Sequence, residues 1–79
     1  MISVCQIKAA RALLGWSAQD LANKSVVGAT TLRRYEMSDG IPNANAKSLQ
    51  TVIETFQRAG IEFTGDPLKN PGVILHLED

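Results

Sequence analysis

One cysteine, one histidine, no net charge and no long apolar run mark this chain, and each scarcity narrows what it can be. A lone thiol, Cys5, cannot close an internal disulfide and suits a reducing cytoplasm, where it reads as a small apolar side chain on a first helix. No apolar stretch approaches the ~20 residues of a membrane span, and the start carries no basic-then-apolar leader, so a cytoplasmic protein is expected. A Gly-rich phosphate loop, a zinc-spaced Cys/His set and an HExxH motif are all missing. His76 stands alone on a strand-like run without other ligand types near it, which favours a structural role over a metal or catalytic one. Catalysis needs a nucleophile and base held in a cleft. This chain offers neither a histidine partner nor room for a pocket, so no enzyme, cofactor or metal is expected. Paired carboxylates occur only as Glu78 and Asp79, at a terminus.

What is present fits one small domain. Its 79 residues give a core worth only ~3–5 kcal/mol unaided, so oligomerisation would help. At 44% hydrophobic and 20% charged the composition is that of a folded globule and not of a disordered tail.

The stretch Ser17 to Glu36, SAQDLANKSVVGATTLRRYE, organises the rest. It predicts two short amphipathic helices around a tight turn, with Leu21, Ala22, Val27, Leu32 and Tyr35 inward and Lys24, Thr30, Arg33 and Arg34 outward. Ser17 and Asp20 form a box-like cap, and Trp16 and Leu21 take staple positions. Gly28 marks a second start, with Val27 and Leu32 packing across it. Three residues between Lys24 and Gly28 permit only a sharp corner, which projects the outer face of the next helix, Ala29, Thr30, Arg33 and Arg34, toward a groove.

Around this pair the first helix is predicted over Val4 to Leu14. Ser3 and Gln6 form a capping box, Ile2 and Ile7 a staple, Ile7, Ala10, Leu13 and Leu14 the buried stripe, and Gly15 the stop. Helix 2 runs from Ala18 to about Lys24 and helix 3 from Ala29 to about Met37. SDGIPNAN, Ser38 to Asn45, is a loop. Asn45 caps helix 4, Ala46 to about Ala59, which buries Leu49, Val52, Ile53 and Phe56 before Gly60. At its start Asn43, Asn45 and Lys47 either hold a backbone phosphate or form a capped, solvated helix end. The tail alternates as strands do over Ile61 to Thr64 and Val73 to Leu77. Two strands alone are marginal and expose edges. They fold back as a hairpin on the helices, or they pair with a second subunit through Val73, Ile74, Leu75 and Leu77. The expected organisation is thus a helix-turn-helix domain over residues 1–60 and a β tail over 61–79.

Charge is distributed unevenly. Lys8, Arg11, Lys24, Arg33, Arg34 and Lys47 outnumber Asp20, Glu36 and Asp39 in residues 1–48, while Glu54, Glu62, Asp66, Glu78 and Asp79 outnumber Arg58 and Lys69 in the remainder. The molecule is therefore predicted to be a dipole, positive where a groove would lie.

The runs ARALLGWS, DLA and TLRRYE, with the later AGIEF, resemble the Cro/C1-type repressor domain, the xenobiotic-response-element family of bacterial and phage regulators, and within it a small single-domain subgroup. The resemblance covers about residues 3 to 63 and extends into the tail. It implies a mainly α fold of four to five helices with a short two-stranded β tail. It also implies an ion pair from Arg11 to Glu36 tying the first helix to the end of the recognition helix. Two positions depart from the family pattern. Val26 stands where a turn glycine is usual, so a differently built turn is expected, since a β-branched residue at positive φ is costly. Ala18 stands where a phosphate-touching glutamine is common.

Two functions are compatible with these residues. In the first, a sequence-specific DNA-binding regulator, a repressor in the leading reading, takes its register from phosphate contacts at Ser17, Lys24, Asn43, Asn45 and Lys47. Thr30 and Arg33 read base edges, Arg34 joins them or grips the backbone, and Ala29 touches a thymine methyl. Such domains read two half-sites as dimers. In the second, the same fold sequesters another regulator as an antiactivator or antirepressor; overall neutrality, Ala18, Val26 and the acidic tail point that way.

Overall fold

The computed structural model describes residues 1–77. Four helices, α1 (Val4–Leu14), α2 (Ala18–Ser25), α3 (Ala29–Glu36) and α4 (Ala46–Arg58), precede two strands, β1 (Ile61–Thr64) and β2 (Gly72–Leu75). The expected Glu78–Asp79 pair lies outside the described residues.

Local chemistry sets most boundaries. At the start of α1 the Ser3 N–H donates to Gln6 Oε1 at 3.0 Å and the Val4 N–H to the Gly40 carbonyl at 2.7 Å, so early helix donors are satisfied by side chain and loop. The helix ends at Gly15, φ 69°, where the N–H groups of Gly15 and Trp16 close back on Ala12 and Arg11. The α2 cap is reciprocal: Ser17 Oγ accepts from the Asp20 N–H at 3.0 Å and Asp20 Oδ2 from the Ser17 N–H at 2.8 Å. Asn45 Oδ1 caps α4 by accepting from the Ser48 N–H at 2.8 Å. Beyond α4, Gly60 takes φ 99° and passes so near β2 that a Cβ there would sit 2.8 Å from the His76 carbonyl oxygen, a place where only glycine fits.

The turn between α2 and α3 corrects one expectation. It is not built differently to spare Val26. Val26 itself adopts the left-handed conformation, φ 61° and ψ 18°, with its N–H on the Ala22 carbonyl. Both neighbours force it. Ser25 is buried and its Oγ accepts from the Val27 N–H at 3.2 Å, while Val27 packs against the core. The Val26 side chain is 92% exposed, so it contributes backbone strain of ~1–2 kcal/mol and no packing.

Leu21, Leu32, Tyr35, Leu49, Val52, Ile53 and Phe56 meet Ile2, Ile7 and Ala10 in one core. Phe56 is fully buried, stacked on Trp16 with ring centroids 5.8 Å apart and edge-on to Phe63 at 5.9 Å, so α4 packs at once on the α1–α2 junction and on the tail. Two predicted apolar positions are instead open. Leu13 is 48% exposed and Cys5 is exposed. The stripe of α1 turns toward Ile7, Ala10 and Leu14, and Leu13 falls past its edge.

The strands form an antiparallel hairpin, with Ile61 opposite Leu75, Glu62 opposite Ile74, Phe63 opposite Val73 and Thr64 opposite Gly72. Ile61, Phe63, Val73 and Leu75 pack inward, whereas Glu62, Ile74 and His76 are exposed. His76 Nε2 lies 2.7 Å from Glu62 Oε1 on that outer face. The amide of buried Gln6 pins the hairpin to α1, donating from Nε2 to the Thr64 and Gly72 carbonyls at 3.2 and 3.0 Å. A sequence reading cannot see this second use of a capping residue.

Replacing Val26 with glycine removes the strain without removing a contact. Val26→Gly is expected to stabilise the fold by about 1 kcal/mol, less the entropy glycine adds to the unfolded chain, and to raise the melting temperature by a few degrees in a calorimetric scan.

Candidate nucleic-acid interface

The outward face of α3 is built by spacing. Thr30, Arg33, Arg34 and Met37 fall three, four and seven residues apart on one side of the helix and are all exposed, while Leu32 and Tyr35 on the other side are buried. No side chain caps α3, whose N-cap is Gly28, so its first turn presents bare N–H groups. Ala29 is only half-exposed and packs against the core, leaving Thr30 the more accessible residue at this end.

Orientation of this helix is held from α1. The Arg11 guanidinium grips Glu36 with both arms, Nε to Oε2 at 2.9 Å and Nη2 to Oε1, and Nη1 donates to the Trp16 carbonyl at 3.0 Å. One planar group thereby ties the end of α1, the approach to α2 and the last turn of α3. The pair is largely shielded, with side chains 21% and 11% exposed.

The remaining predicted contacts divide into separate places. Asn43, Asn45 and Lys47 are exposed together at the start of α4, where the cap is a neutral amide and no acidic residue occupies the first turn. At the start of α2 the corresponding position is filled by the chain's own charge. Asp20 accepts from Ser17, whose backbone N–H first and hydroxyl second hold its carboxyl below the usual carboxylate range. Ser17 is thus a cap whose nearest anion is Asp20. Lys24 lies elsewhere again, its Nζ 5.1 Å from the Trp16 ring centroid in a shallow hollow with Thr55, Arg58 and Ala59 at the far end of α4. Arg58, absent from the sequence-based set, adds a second cation there; only the contact of Trp16 with α4 reveals it.

Residues 7–57 match a helix-turn-helix family model. The chain belongs to the Cro/C1-type helix-turn-helix family. No curated protein and no solved structure matches it. The family match spans α1 through α4 and stops before the hairpin. That family is one of DNA-binding helix-turn-helix regulators. Among the described residues no helix is long and apolar enough to cross a membrane, and no three His, Cys, Asp or Glu side chains gather to hold a metal.

Two expectations follow. Glu36→Ala leaves the Arg11 guanidinium without its carboxylate and should cost about 2 kcal/mol in urea denaturation. For Asp20, the folded-state pKa lies below the unfolded one, so its stabilising contribution is complete above the ordinary carboxylate range and vanishes as pH falls through the folded value. Asp20→Asn should accordingly be less stable than the parent at pH 7, with the difference shrinking in acid when both chains are titrated with urea.

Proposed function

We propose that the protein is a sequence-specific transcriptional regulator, most simply a repressor, acting in the cytoplasm on double-stranded DNA by laying α3 in the major groove. The observation that carries this reading is the Thr30, Arg33, Arg34 face, exposed on a helix held by the Arg11–Glu36 pair. Thr30 and Arg33 read base edges, the arginine by a bidentate contact to guanine, while Arg34 grips the backbone beside them. Asn43, Asn45 and Lys47 set the register on a phosphate at the start of α4. Lys24 serves as a flanking cation, and Ser17, its hydroxyl engaged with Asp20, brings the start of α2 up to the backbone. Ala29 lies beside the groove at the first turn.

The alternative, capture of another regulator, draws support from Val26 and Met37, which stand 92% and 87% exposed at either end of α3, an apolar pair that DNA does not require. One titration separates the two. The protein is mixed with its own promoter DNA and with a random duplex of equal length over a range of salt. As a regulator it binds the first more tightly, log affinity falls with log salt, and Arg33→Ala lowers discrimination about tenfold while Lys47→Ala weakens both duplexes alike. A folded protein that ignores both duplexes at low salt overturns this reading in favour of the protein partner.

A further inference from the structure

A groove opens at the end of α4 remote from the Asn45 cap, about 20 Å along the helix axis. It lies between the last residues of α1, the residues just past α4 and the end of β2. Its volume, about 520 Å³, is of the size that takes a compact apolar group. Leu14 and Leu75 line it and also pack against the core, so its inner walls are held in place. Leu13 and Leu77 line it without that support, and Leu77 is 83% exposed. Single exposed leucines need no explanation, but two that share one groove make an uncovered apolar patch.

Charge beside the patch is of one sign. Arg58 lines the groove and also the hollow at Trp16 that Lys24 borders, so the two depressions adjoin at Arg58 and Ala59. Among the described residues no carboxylate lines either one. The ion pairs among those residues join Arg11 to Glu36 and His76 to Glu62. Arg58 is left with the Thr55 hydroxyl, 3.5 Å from its Nη2, and Glu54, one turn earlier on α4, forms no pair with it. A guanidinium without a carboxylate, next to exposed leucines, is half of a bidentate contact.

We propose that this groove docks a short acidic and apolar segment of a different protein. Its leucine-like side chains enter between Leu13, Leu14, Leu75 and Leu77, and a flanking aspartate or glutamate meets Arg58. Burial of the apolar groups supplies affinity, while the carboxylate fixes orientation and the positive field of Arg58 and Lys24 rejects basic segments. A nucleic acid would satisfy the cations but has no use for the leucines. The surface is distinct from those at α3: Thr30, Arg33 and Arg34 on its outer face and Val26 and Met37 at its ends do not line the groove. DNA on α3 and this segment therefore do not compete for a site, and the inference does not rest on the regulator reading.

Panning the whole chain with a phage-displayed library of random peptides tests it. Enriched peptides should share an aspartate or glutamate beside leucine, isoleucine or phenylalanine, and a synthetic copy of one should bind the parent in fluorescence anisotropy. Arg58→Glu and Leu77→Asp, both at exposed positions, should keep the parent's circular dichroism and weaken that peptide about tenfold or more. Exchanging the peptide's acid for lysine should abolish binding to the parent and restore it to Arg58→Glu. No enrichment, enriched peptides without an acid, or binding that survives both substitutions overturns the proposal. Binding lost in Met37→Asp but kept in Arg58→Glu also overturns it and moves the partner to α3. A chain that takes the peptide but no DNA refutes only the regulator reading; one that binds DNA but enriches no acidic peptide refutes only this docking.

Discussion

Everything this protein presents to a partner depends on where Arg11 holds Glu36. An eight-residue helix such as α3 is too short to be stable by propensity, and its apolar side contributes mainly Leu32 and Tyr35 to the core. Burial fixes which side faces in but leaves tilt poorly determined, since two anchors less than one turn apart form a short lever. The guanidinium supplies the missing constraint at the far end of the helix. Because its third contact is the Trp16 carbonyl, the same group also sets the path into α2. The angle between α2 and α3 is thereby fixed from both arms, with Val26 taking up the strain at the corner.

Trp16 extends this constraint to the other half of the molecule. Its ring stacks on Phe56, Phe56 meets Phe63, and Lys24 lies over its outer face. A continuous path of contacts therefore leads from the Arg11–Glu36 pair through Trp16 and α4 to the hairpin, although the family match ends at residue 57. The hairpin closes the core with Ile61 and is pinned by Gln6. Such a path is static geometry. It explains why the hairpin, which would be marginal alone, is ordered in a chain this small.

Helix starts were readable from sequence because they rest on neighbours in the chain: the Ser17–Asp20 pair, the Asn45 cap, the Ser3–Gln6 bond and the Gly15 stop are contacts within a few residues. The span of β1 was readable for the same reason, from alternation and the glycine before it. Leu13 was misplaced because periodicity gives the direction of an apolar face but not its width, which depends on how near α4 and β2 stand to α1. The expectation for Val26 erred in the opposite sense, since a local steric preference gave way to the burial of Ser25 and the packing of Val27. At the candidate interface, the face of α3 was legible from spacing alone, whereas the company each outlying cation keeps was not. Lys24 and Lys47 look equivalent in sequence, and only the fold puts one over Trp16 and the other at the opposite end of α4.

Neutrality of the whole chain then acquires a physical meaning. With Arg11 neutralised by Glu36, the exposed cations near α3 and the start of α4 are Arg33, Arg34 and Lys47. Each phosphate contact contributes ~0.9 to the salt slope, so on the regulator reading one copy would release few counterions and bind random DNA weakly. Weak non-specific attraction is an advantage for a small regulator, because the genome offers a vast excess of wrong sites. It also means that a single copy gathers little affinity at the right site. On the regulator reading, discrimination therefore rests on the base-edge contacts of α3 more than on charge.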